Sequence, residues 1–243
     1  MNLLRSALFN VAFYGWTTIC GAVFMPTFIL PRPVLRACLI IWARGIRWQL
    51  ATIVGLTAEF RGTENLPAGP VVLCAKHQSA WETIMLIEYL ADPVYVVKKE
   101  LLRIPLYGWC AWKTGSIAVD RQGGGSALKA MVEGVRGAVA AGRQVVIFPE
   151  GTRTAPGARL PYHPGIAMIA AKVDAPVVPM ALNSGLFWGR RSFVKRPGRI
   201  IVEFLPAMPT GLKSRAFMQE LEHRIETASA ALLAESPVDN SVD

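Results

Sequence analysis

The chain has 243 residues, of which 52% are hydrophobic and 18% are charged, and its formal net charge is +9. The charged fraction lies below the norm of about 25% for soluble domains, and the basic residues form no long run of the kind that binds nucleic acid. Low charge density with positive sign favours anionic lipid or an anionic substrate as the partner, and we expect no nucleic acid.

The first apolar segment has no charged residue from position 7 to position 30. It is long enough for a membrane-spanning helix by the criterion of about 20 residues. It exceeds the apolar run of about 7–15 residues in a signal peptide and has no convincing cleavage site.

The second apolar segment, residues 34–57, predicts an amphipathic helix with Arg36, Arg44 and Arg47 on one face. We interpret residues 1–57 as a membrane-anchoring helical segment, either a hairpin or one span followed by a helix on anionic lipid. A buried helix of a soluble core, with the arginines as its solvated stripe, is the alternative. More arginines follow the first apolar run than precede it, which predicts that the rest of the chain faces the cytoplasm, on the inner membrane if the source is bacterial.

Beyond residue 57, short β-branched runs alternate with helical stretches. This alternation indicates an α/β fold with a mainly parallel sheet flanked by helices, in one catalytic domain at residues 58–235 followed by a disordered tail at 236–243. The predicted strands are 71–75, 94–97, 116–119, 144–148, 177–182 and 200–204, and the predicted helices are 80–90, 126–141, 165–172 and 213–233. Ligands bind such sheets at the carboxyl ends of strands, so polar motifs just after a strand are candidate sites.

The first such motif, K-H-Q-S-A-W-E at residues 76–82, follows strand 71–75 and opens a helix. Ser79 and Glu82 have the spacing of a capping box with Ser79 as the N-cap residue. Glu82 then points back to the chain before the helix, where it can hold one imidazole nitrogen of His77 as a donor and leave the other as an acceptor. The motif predicts either a base with its orienting acid or a plain helix cap beside a surface histidine.

Two further polar segments follow later strands. In F-P-E-G-T-R-T, residues 148–154, Gly151 permits close backbone approach, Thr152 supplies a hydroxyl and Arg153 a planar fork suited to phosphate. A strand-ending turn with a surface arginine is the alternative. In R-R-S-F-V-K-R-P-G-R, residues 190–199, basic residues surround two apolar ones, which predicts contact with lipid or an acyl donor, or else an ordinary solvated hairpin loop.

Several common catalytic motifs do not occur in the sequence. There is no G-x-S-x-G nucleophile elbow, no G-x-G-x-x-G after a strand, and no phosphate-loop continuation after the glycines at 123–125. The three histidines lack metal-ligand spacing and the four cysteines include no C-x-x-C pair, so we expect no metal, no cofactor and a reducing compartment.

Together these motifs resemble those of the 1-acylglycerol-3-phosphate acyltransferases (lysophosphatidic acid acyltransferases) of the glycerolipid acyltransferase superfamily. A histidine with an acid five positions on, followed by E-G-T-R after a later strand, carries the resemblance. Further blocks match in order and spacing over residues 60–210: V-K-K-E-L at 97–101, G-S-I-A-V-D-R at 115–121 and V-V-P-M at 177–180. The family's commonest first block has aspartate where this chain has Glu82, one methylene longer, which leaves the subfamily and the acceptor open.

The resemblance implies transfer of a fatty acyl group from acyl-CoA or acyl-carrier protein to the sn-2 hydroxyl of 1-acylglycerol-3-phosphate, giving phosphatidic acid at a membrane bilayer. It implies that His77 is the general base and Glu82 its orienting acid, with no protein nucleophile. The implied substrate-binding set holds the acceptor phosphate, with Arg153 as the first choice and with Glu150 buttressing the cations; it consists of Lys98, Arg121, Glu150, Gly151, Thr152 and Arg153.

Three other functions stay open. A sister acyltransferase with the same machinery would take another acceptor, such as a lyso-amino-acid lipid or glycerol-3-phosphate. A non-catalytic lipid-binding protein of the membrane surface would use the same scaffold without needing His77. A hydrolase would activate water through His77 and release free fatty acid.

Overall fold

The computed structural model describes residues 1–120 and 123–236, which form a seven-stranded sheet flanked by helices. The strands lie in the order β1-β7-β6-β2-β5-β3-β4. Their bounds are β1 Leu56–Arg61, β2 Val71–Ala75, β3 Pro93–Lys98, β4 Ile117–Val119, β5 Gln144–Ile147, β6 Val177–Leu182 and β7 Gly198–Phe204. All neighbours pair in parallel except β6 and β7, so the predicted α/β fold with a mainly parallel sheet is confirmed.

The helices cover the sheet and form the amino-terminal segment. Their bounds are α1 Asn2–Val23, α2 Arg32–Gln49, α3 Trp81–Tyr89, α4 Tyr107–Lys113, α5 Gly124–Ala140, α6 Gly165–Lys172 and α7 Ser214–Glu235. Short 3-10 turns at Met25–Phe28, Lys99–Arg103 and Ser184–Leu186 join them, and the π-helical turn Leu50–Val54 extends α2. Two elements, β1 and α4, were not predicted.

The central strands are buried because they are apolar at every position. Each residue of β2 and of β6 is buried, as the run V-V-L-C-A in β2 requires when helices cover both faces of a parallel sheet. Separate apolar clusters lie on the two faces: α2 and α3 pack on one, and α5, α6 and α7 on the other. The carboxyl ends of β2 and β5 therefore open at one edge of a rigid, buried sheet.

The first two helices pack against each other through a close contact at Gly45. The indole of Trp16 lies so near that a Cβ at Gly45 would come within 2.4 Å of its Nε1. That Nε1 donates to the carbonyl oxygen of Trp42 at 3.0 Å, and the indole of Trp42 donates to Thr17 Oγ1 at 3.1 Å. Any larger residue at position 45 would displace the indole of Trp16 from this contact.

The basic face of α2 lies beside carboxylates that the sequence interpretation did not include. Glu88 at the end of α3 binds Arg44 at 3.3 Å and Arg47 at 3.0 Å, although both arginine side chains stay mostly exposed. Asp92, just beyond α3, binds Arg32 at 2.8 Å and lies 3.9 Å from Arg36. Spacing on a helix shows which residues share a face but not which carboxylates lie opposite, so these ion pairs were not foreseen.

The amino-terminal segment also presents apolar surface. Large apolar side chains are exposed along α1, including Leu4, Leu8, Val11 and Tyr14. Among the described residues, the stretch Arg32–Val54 alone is long and apolar enough to cross a membrane, judged by length and composition only, and 28% of its apolar window is buried. The uncharged run 7–30, which was the first candidate from the sequence, is divided by the end of α1 at Val23.

Candidate active site

His77 and Glu82 form a hydrogen-bonded pair at the carboxyl end of β2. Glu82 is fully buried, and its Oε1 lies 2.9 Å from His77 Nδ1. The same oxygen accepts the backbone N–H groups of Gln78 and Ser79, both at 2.7 Å, and Oε2 accepts the hydroxyl of Ser184 at 2.8 Å. Because Oε1 accepts from both of these N–H groups, we assign Nδ1 of His77 as its third donor, which leaves Nε2 as the acceptor.

The helix cap differs from the predicted one by one residue. Ala80 is the N-cap of α3, and Ser79 Oγ accepts the N–H of Trp81 at 3.1 Å. The reciprocal half of the predicted capping box is present, because Glu82 accepts the N–H of Ser79. One carboxylate therefore both caps the helix and holds the histidine, so the two alternatives from the sequence are compatible.

The ring of His77 is fixed by a second contact. It stacks on Phe148 with centroids 3.9 Å apart and an angle of 18° between the planes. Its side chain is 15% exposed, and it opens into a cavity of about 570 Å³, within the range of roughly 300–1,000 Å³ of ligand pockets. The imidazole is thus rigid on its buried side and accessible on the other.

The two polar motifs are tied together beneath this cavity. Glu150 Oε2 accepts the backbone N–H of His77 at 2.9 Å, and its Oε1 lies 2.6 Å from Lys76 Nζ. The hydroxyl of Thr154 donates to Glu150 Oε1 at 2.6 Å, and the N–H of Thr154 donates to the carbonyl of His77 at 2.8 Å. Because of these bonds the turn after β5 fixes the backbone that carries the histidine.

Lys76 connects the site to the carboxy-terminal helix. It is 1% exposed, and its Nζ also lies 2.6 Å from Glu226 Oε1 on α7. The hydroxyl of Tyr162 donates to that same oxygen at 2.8 Å. Burial, and after it the charge of the nearby Glu226, raises the pKa of Tyr162, so the phenol stays protonated and donating. Lys76 and Glu226 are 150 positions apart, and no local signal could have paired them.

The cavity combines cations with an apolar wall. Of the predicted substrate-binding residues it is lined by Lys98, Gly151, Thr152 and Arg153. Arg190 and Arg191, from the basic segment 190–199, also line it. Its apolar lining includes Val97, Leu101, Leu128, Met131 and Ile166. This mixture suits a ligand with an anionic end and a hydrocarbon part.

One predicted substrate-binding residue, Glu150, lies outside the cavity lining, and another, Arg121, is not described. Glu150 is buried, with 3% exposure, and is not part of the cavity lining; its partners are Lys76, Thr154 and His77. Arg121 lies outside the described residues. Asp120, just before it, lines the cavity and pairs with Lys99 at 3.4 Å.

Comparison with known proteins identifies the family. The family model described as "Acyltransferase" matches residues 57–183. A 1-acyl-sn-glycerol-3-phosphate acyltransferase of Pseudomonas aeruginosa is 34% identical over 245 residues, covering 100% of this chain and 95% of that protein. The alpha form of the enzyme of that name from Ovis aries is 31% identical over 213 residues, covering 84% of this chain and 72% of that protein.

The fold has a match among solved structures as well. The crystal structure of a 1-acyl-sn-glycerophosphate acyltransferase from Thermotoga maritima superposes with a TM-score of 0.77. The two chains are 22% identical, and the match covers 98% of this chain and 100% of that one, which supports the fold. The family model, the relatives and the motifs agree, and the chain therefore belongs to the acyltransferase family.

Proposed function

We propose that the protein transfers a fatty acyl group from a thioester donor to the sn-2 hydroxyl of 1-acylglycerol-3-phosphate and so makes phosphatidic acid. The observation that carries this proposal is the His77–Glu82 pair, 2.9 Å apart, at a cavity that also contains Lys98 and Arg153. The names of the relatives from Pseudomonas aeruginosa and Ovis aries support the choice of acceptor.

His77 acts in this proposal as a general base through Nε2. It takes the proton of the acceptor hydroxyl while the oxygen attacks the carbonyl carbon of the thioester. The new C–O bond forms, the C–S bond breaks, and the departing sulfur receives the proton from Nε2. Glu82 faces the imidazolium in this sequence and compensates its charge, which matters because the nearby amino terminus of α3 disfavours a cation.

The acceptor phosphate binds to the cations of the cavity. Arg153 is the main candidate because its planar fork matches two phosphate oxygens, and Lys98 adds a point charge. Arg121 stays a prediction for the same role. Gly151 and Thr152 would bring backbone and hydroxyl groups close to the ligand. Glu150 would act through its buried bonds to Lys76 and His77, which position the base and the arginine turn.

Membrane attachment belongs to the same proposal. A lysolipid keeps its hydrocarbon chain in one leaflet, so an enzyme on that leaflet meets its acceptor without extracting it. The exposed apolar side chains of α1 support residues 1–57 as the anchor, and the arginines that follow the first apolar run support the cytoplasmic face. The donor is acyl-CoA or acyl-carrier protein.

One observation favours a second candidate function. Glu82 is one methylene longer than the aspartate that is commonest in the family, and it reaches both His77 and Ser184. The longer acid can shift the histidine relative to the cavity, which would suit an acyltransferase with a different acceptor, such as another lysolipid or glycerol-3-phosphate.

The test uses purified, detergent-solubilised protein with oleoyl-CoA and 1-acylglycerol-3-phosphate. Thiol release and phosphatidic acid formation are followed together for the wild type, for His77→Ala and for His223→Ala, an exposed histidine on α7 outside the cavity. We expect equal amounts of thiol and lipid product, lost in His77→Ala and kept in His223→Ala.

Other outcomes separate the alternatives. Thiol release without lipid product would show hydrolysis. Acylation of other acceptors alone would show the sister acyltransferase, and full activity in His77→Ala would refute the base. Absence of activity with every donor and acceptor would favour the non-catalytic lipid-binding protein.

A further inference from the structure

The loop between β6 and β7 brings two arginines to the cavity. Arg190 and Arg191 line the same cavity as His77, and Nη1 of Arg190 donates to the carbonyl oxygen of Arg153 at 3.2 Å. We propose that Arg190 and Arg191 bind the phosphate groups of the thioester donor. This inference rests on the proposed acyl transfer and assigns its second substrate a place in the site.

The wall of the cavity carries an excess of positive charge. Among the described residues that line it there is one carboxylate, Asp120, and there are four cations, Lys98, Arg153, Arg190 and Arg191. Within the described ranges, none of these four cations forms an ion pair, whereas other arginines of the chain do, for example with Asp92, Glu88 or Glu235. A phosphate monoester carries a charge of about −1.5 to −2, so the acceptor alone leaves roughly half of the cavity's cationic charge unneutralised.

The strand that carries the base lies between the strands whose following segments supply the cations. The sheet order β6-β2-β5-β3 places the strand that carries His77, β2, between β6 and the pair β5 and β3. The loop with Arg190 and Arg191 leaves β6, while Arg153 follows β5 and Lys98 ends β3. The cations of the cavity therefore come from segments that follow strands on both sides of β2 in the sheet, which leaves room for two anionic groups near the base.

The loop between β6 and β7 is held in place before any ligand binds. Lys195 donates its backbone N–H to Ser6 Oγ of α1 at 2.8 Å, and its buried ammonium contacts Asn10 Oδ1 at 3.4 Å and the carbonyl of Ser192 at 2.8 Å. Arg196 donates its N–H to the carbonyl of Phe187 at 2.9 Å, closing the loop. A site that is already ordered loses less conformational freedom on binding.

The chemistry of the donor fits this site. Acyl-CoA and acyl-carrier protein share a pantetheine arm whose end away from the thioester carries phosphate. The thioester must reach His77, while the phosphate lies farther along the arm. Arginine is the side chain best suited to bind phosphate through two parallel hydrogen bonds, and two neighbouring arginines can do so together.

The experiment removes both charges without disturbing the backbone. Arg191 has φ of 58°, a conformation that asparagine tolerates, so the variant is Arg190→Gln with Arg191→Asn. The matched control, Arg136→Gln with Arg199→Gln, removes two charges from arginines that pair with Glu133 and Glu59 and are not part of the cavity lining. Transfer to 1-acylglycerol-3-phosphate in neutral detergent is measured with oleoyl-CoA, oleoyl-acyl-carrier protein and oleoyl-pantetheine, which has no phosphate.

We expect the loop variant to raise the KM for oleoyl-CoA roughly tenfold to a hundredfold, with an unchanged KM for the acceptor and no effect in the control. Activity with oleoyl-pantetheine should be equal in wild type and variant. A similar rise with oleoyl-acyl-carrier protein would show binding of the phosphate of the pantetheine arm, and a rise with oleoyl-CoA alone would show binding of the nucleotide phosphates.

Three results would overturn the proposal: an unchanged KM for oleoyl-CoA, an equal loss with oleoyl-pantetheine, or a rise confined to the acceptor's KM. If the loop variant loses activity only when it is assayed on anionic vesicles, the loop binds lipid and not the donor. If the wild type transfers no acyl group, the proposed function has failed separately. In that case the affinity for oleoyl-CoA is measured by calorimetry in the His77→Ala protein with and without the loop substitutions. Weaker binding with the substitutions would support the donor site, and unchanged binding would overturn it.

Discussion

Replacement of Lys76 by methionine is expected to destabilise the protein strongly. Lys76 is 1% exposed, and its Nζ lies 2.6 Å from Glu150 Oε1 and 2.6 Å from Glu226 Oε1. Methionine keeps the length and apolar stem of the side chain, so the change removes the charge and leaves little cavity. Two buried carboxylates would lose their common cation.

The magnitude follows from the burial of all three groups. The side chains of Glu150 and Glu226 are 0% and 8% exposed, so water cannot replace the lost ammonium. Removing one partner of a buried ion pair costs about 3–5 kcal/mol. The free energy of unfolding of a natural domain is about 5–15 kcal/mol, so this one change removes a large part of it.

The assay is denaturant unfolding followed by tryptophan fluorescence at fixed detergent concentration. Glu226→Gln is the matched control, because the amide oxygen still accepts from Lys76 and Tyr162 while the Lys76–Glu150 pair stays intact; we expect a loss of about 1 kcal/mol. In the double variant of Lys76→Met with Glu226→Gln, the loss of unfolding free energy should be smaller than the sum of the two single losses by about 1–3 kcal/mol. A loss below about 1 kcal/mol in Lys76→Met would refute the reasoning that this cluster is an essential buried pair.

Three further predictions concern other parts of the molecule. Burial lowers the pKa of Lys195 from its usual 10.5 to about 8, so the unfolded chain binds more protons between these values and the free energy of unfolding should rise with pH there. The difference in unfolding free energy between wild type and Lys195→Met, measured across this window, tests the prediction, and a difference that does not change with pH would contradict it. Glu82→Asp shortens an acid that makes four hydrogen bonds. In steady-state assays kcat should therefore fall by about tenfold while KM stays unchanged. An unchanged kcat would show that the extra methylene is dispensable. Gly62→Ala places a Cβ 2.1 Å from the carbonyl oxygen of Phe204, at a residue whose φ is 63°. It should lower the denaturation midpoint more than Gly142→Ala does, because Gly142 has a similar φ of 75° but open space around it. Equal losses in the two variants would show that the chain relaxes around the clash.

The buried part of the fold was predictable, and its polar edge was not. The bounds of β2, β6 and α6 agree with the prediction residue for residue, because apolar runs of that length between turn residues have few other structures open to them. Strand β1 was missed because Glu59 and Arg61 interrupt its apolar pattern. These residues pair with each other, and Glu59 also pairs with Arg199 of the neighbouring β7, so the edge strand is held partly by charges whose partners lie far along the chain.

The contacts of the candidate site likewise fall into local ones, which the sequence predicts, and distant ones, which it does not. The contact between His77 and Glu82 follows from five positions of local sequence at the start of a helix, and the structure has it at 2.9 Å. The bond from Ser184 to Glu82 spans 102 positions, and that from Lys76 to Glu226 spans 150. Such contacts depend on which strands become neighbours, and a single sequence does not specify strand order at that distance.

The pairing of β1 with β7 has a consequence for how the protein is made. The hydroxyl of Thr57 in β1 donates to the carbonyl of Gly198 in β7, 141 positions later. At roughly 5–20 residues per second, a ribosome needs on the order of ten to thirty seconds to translate that interval. During this time α1 and α2 are complete while β1 has an open edge, which is prone to pair with other chains. The two helices are therefore available for attachment to a bilayer before β1 has its partner strand, and early attachment would keep the open edge of β1 apart from other nascent chains.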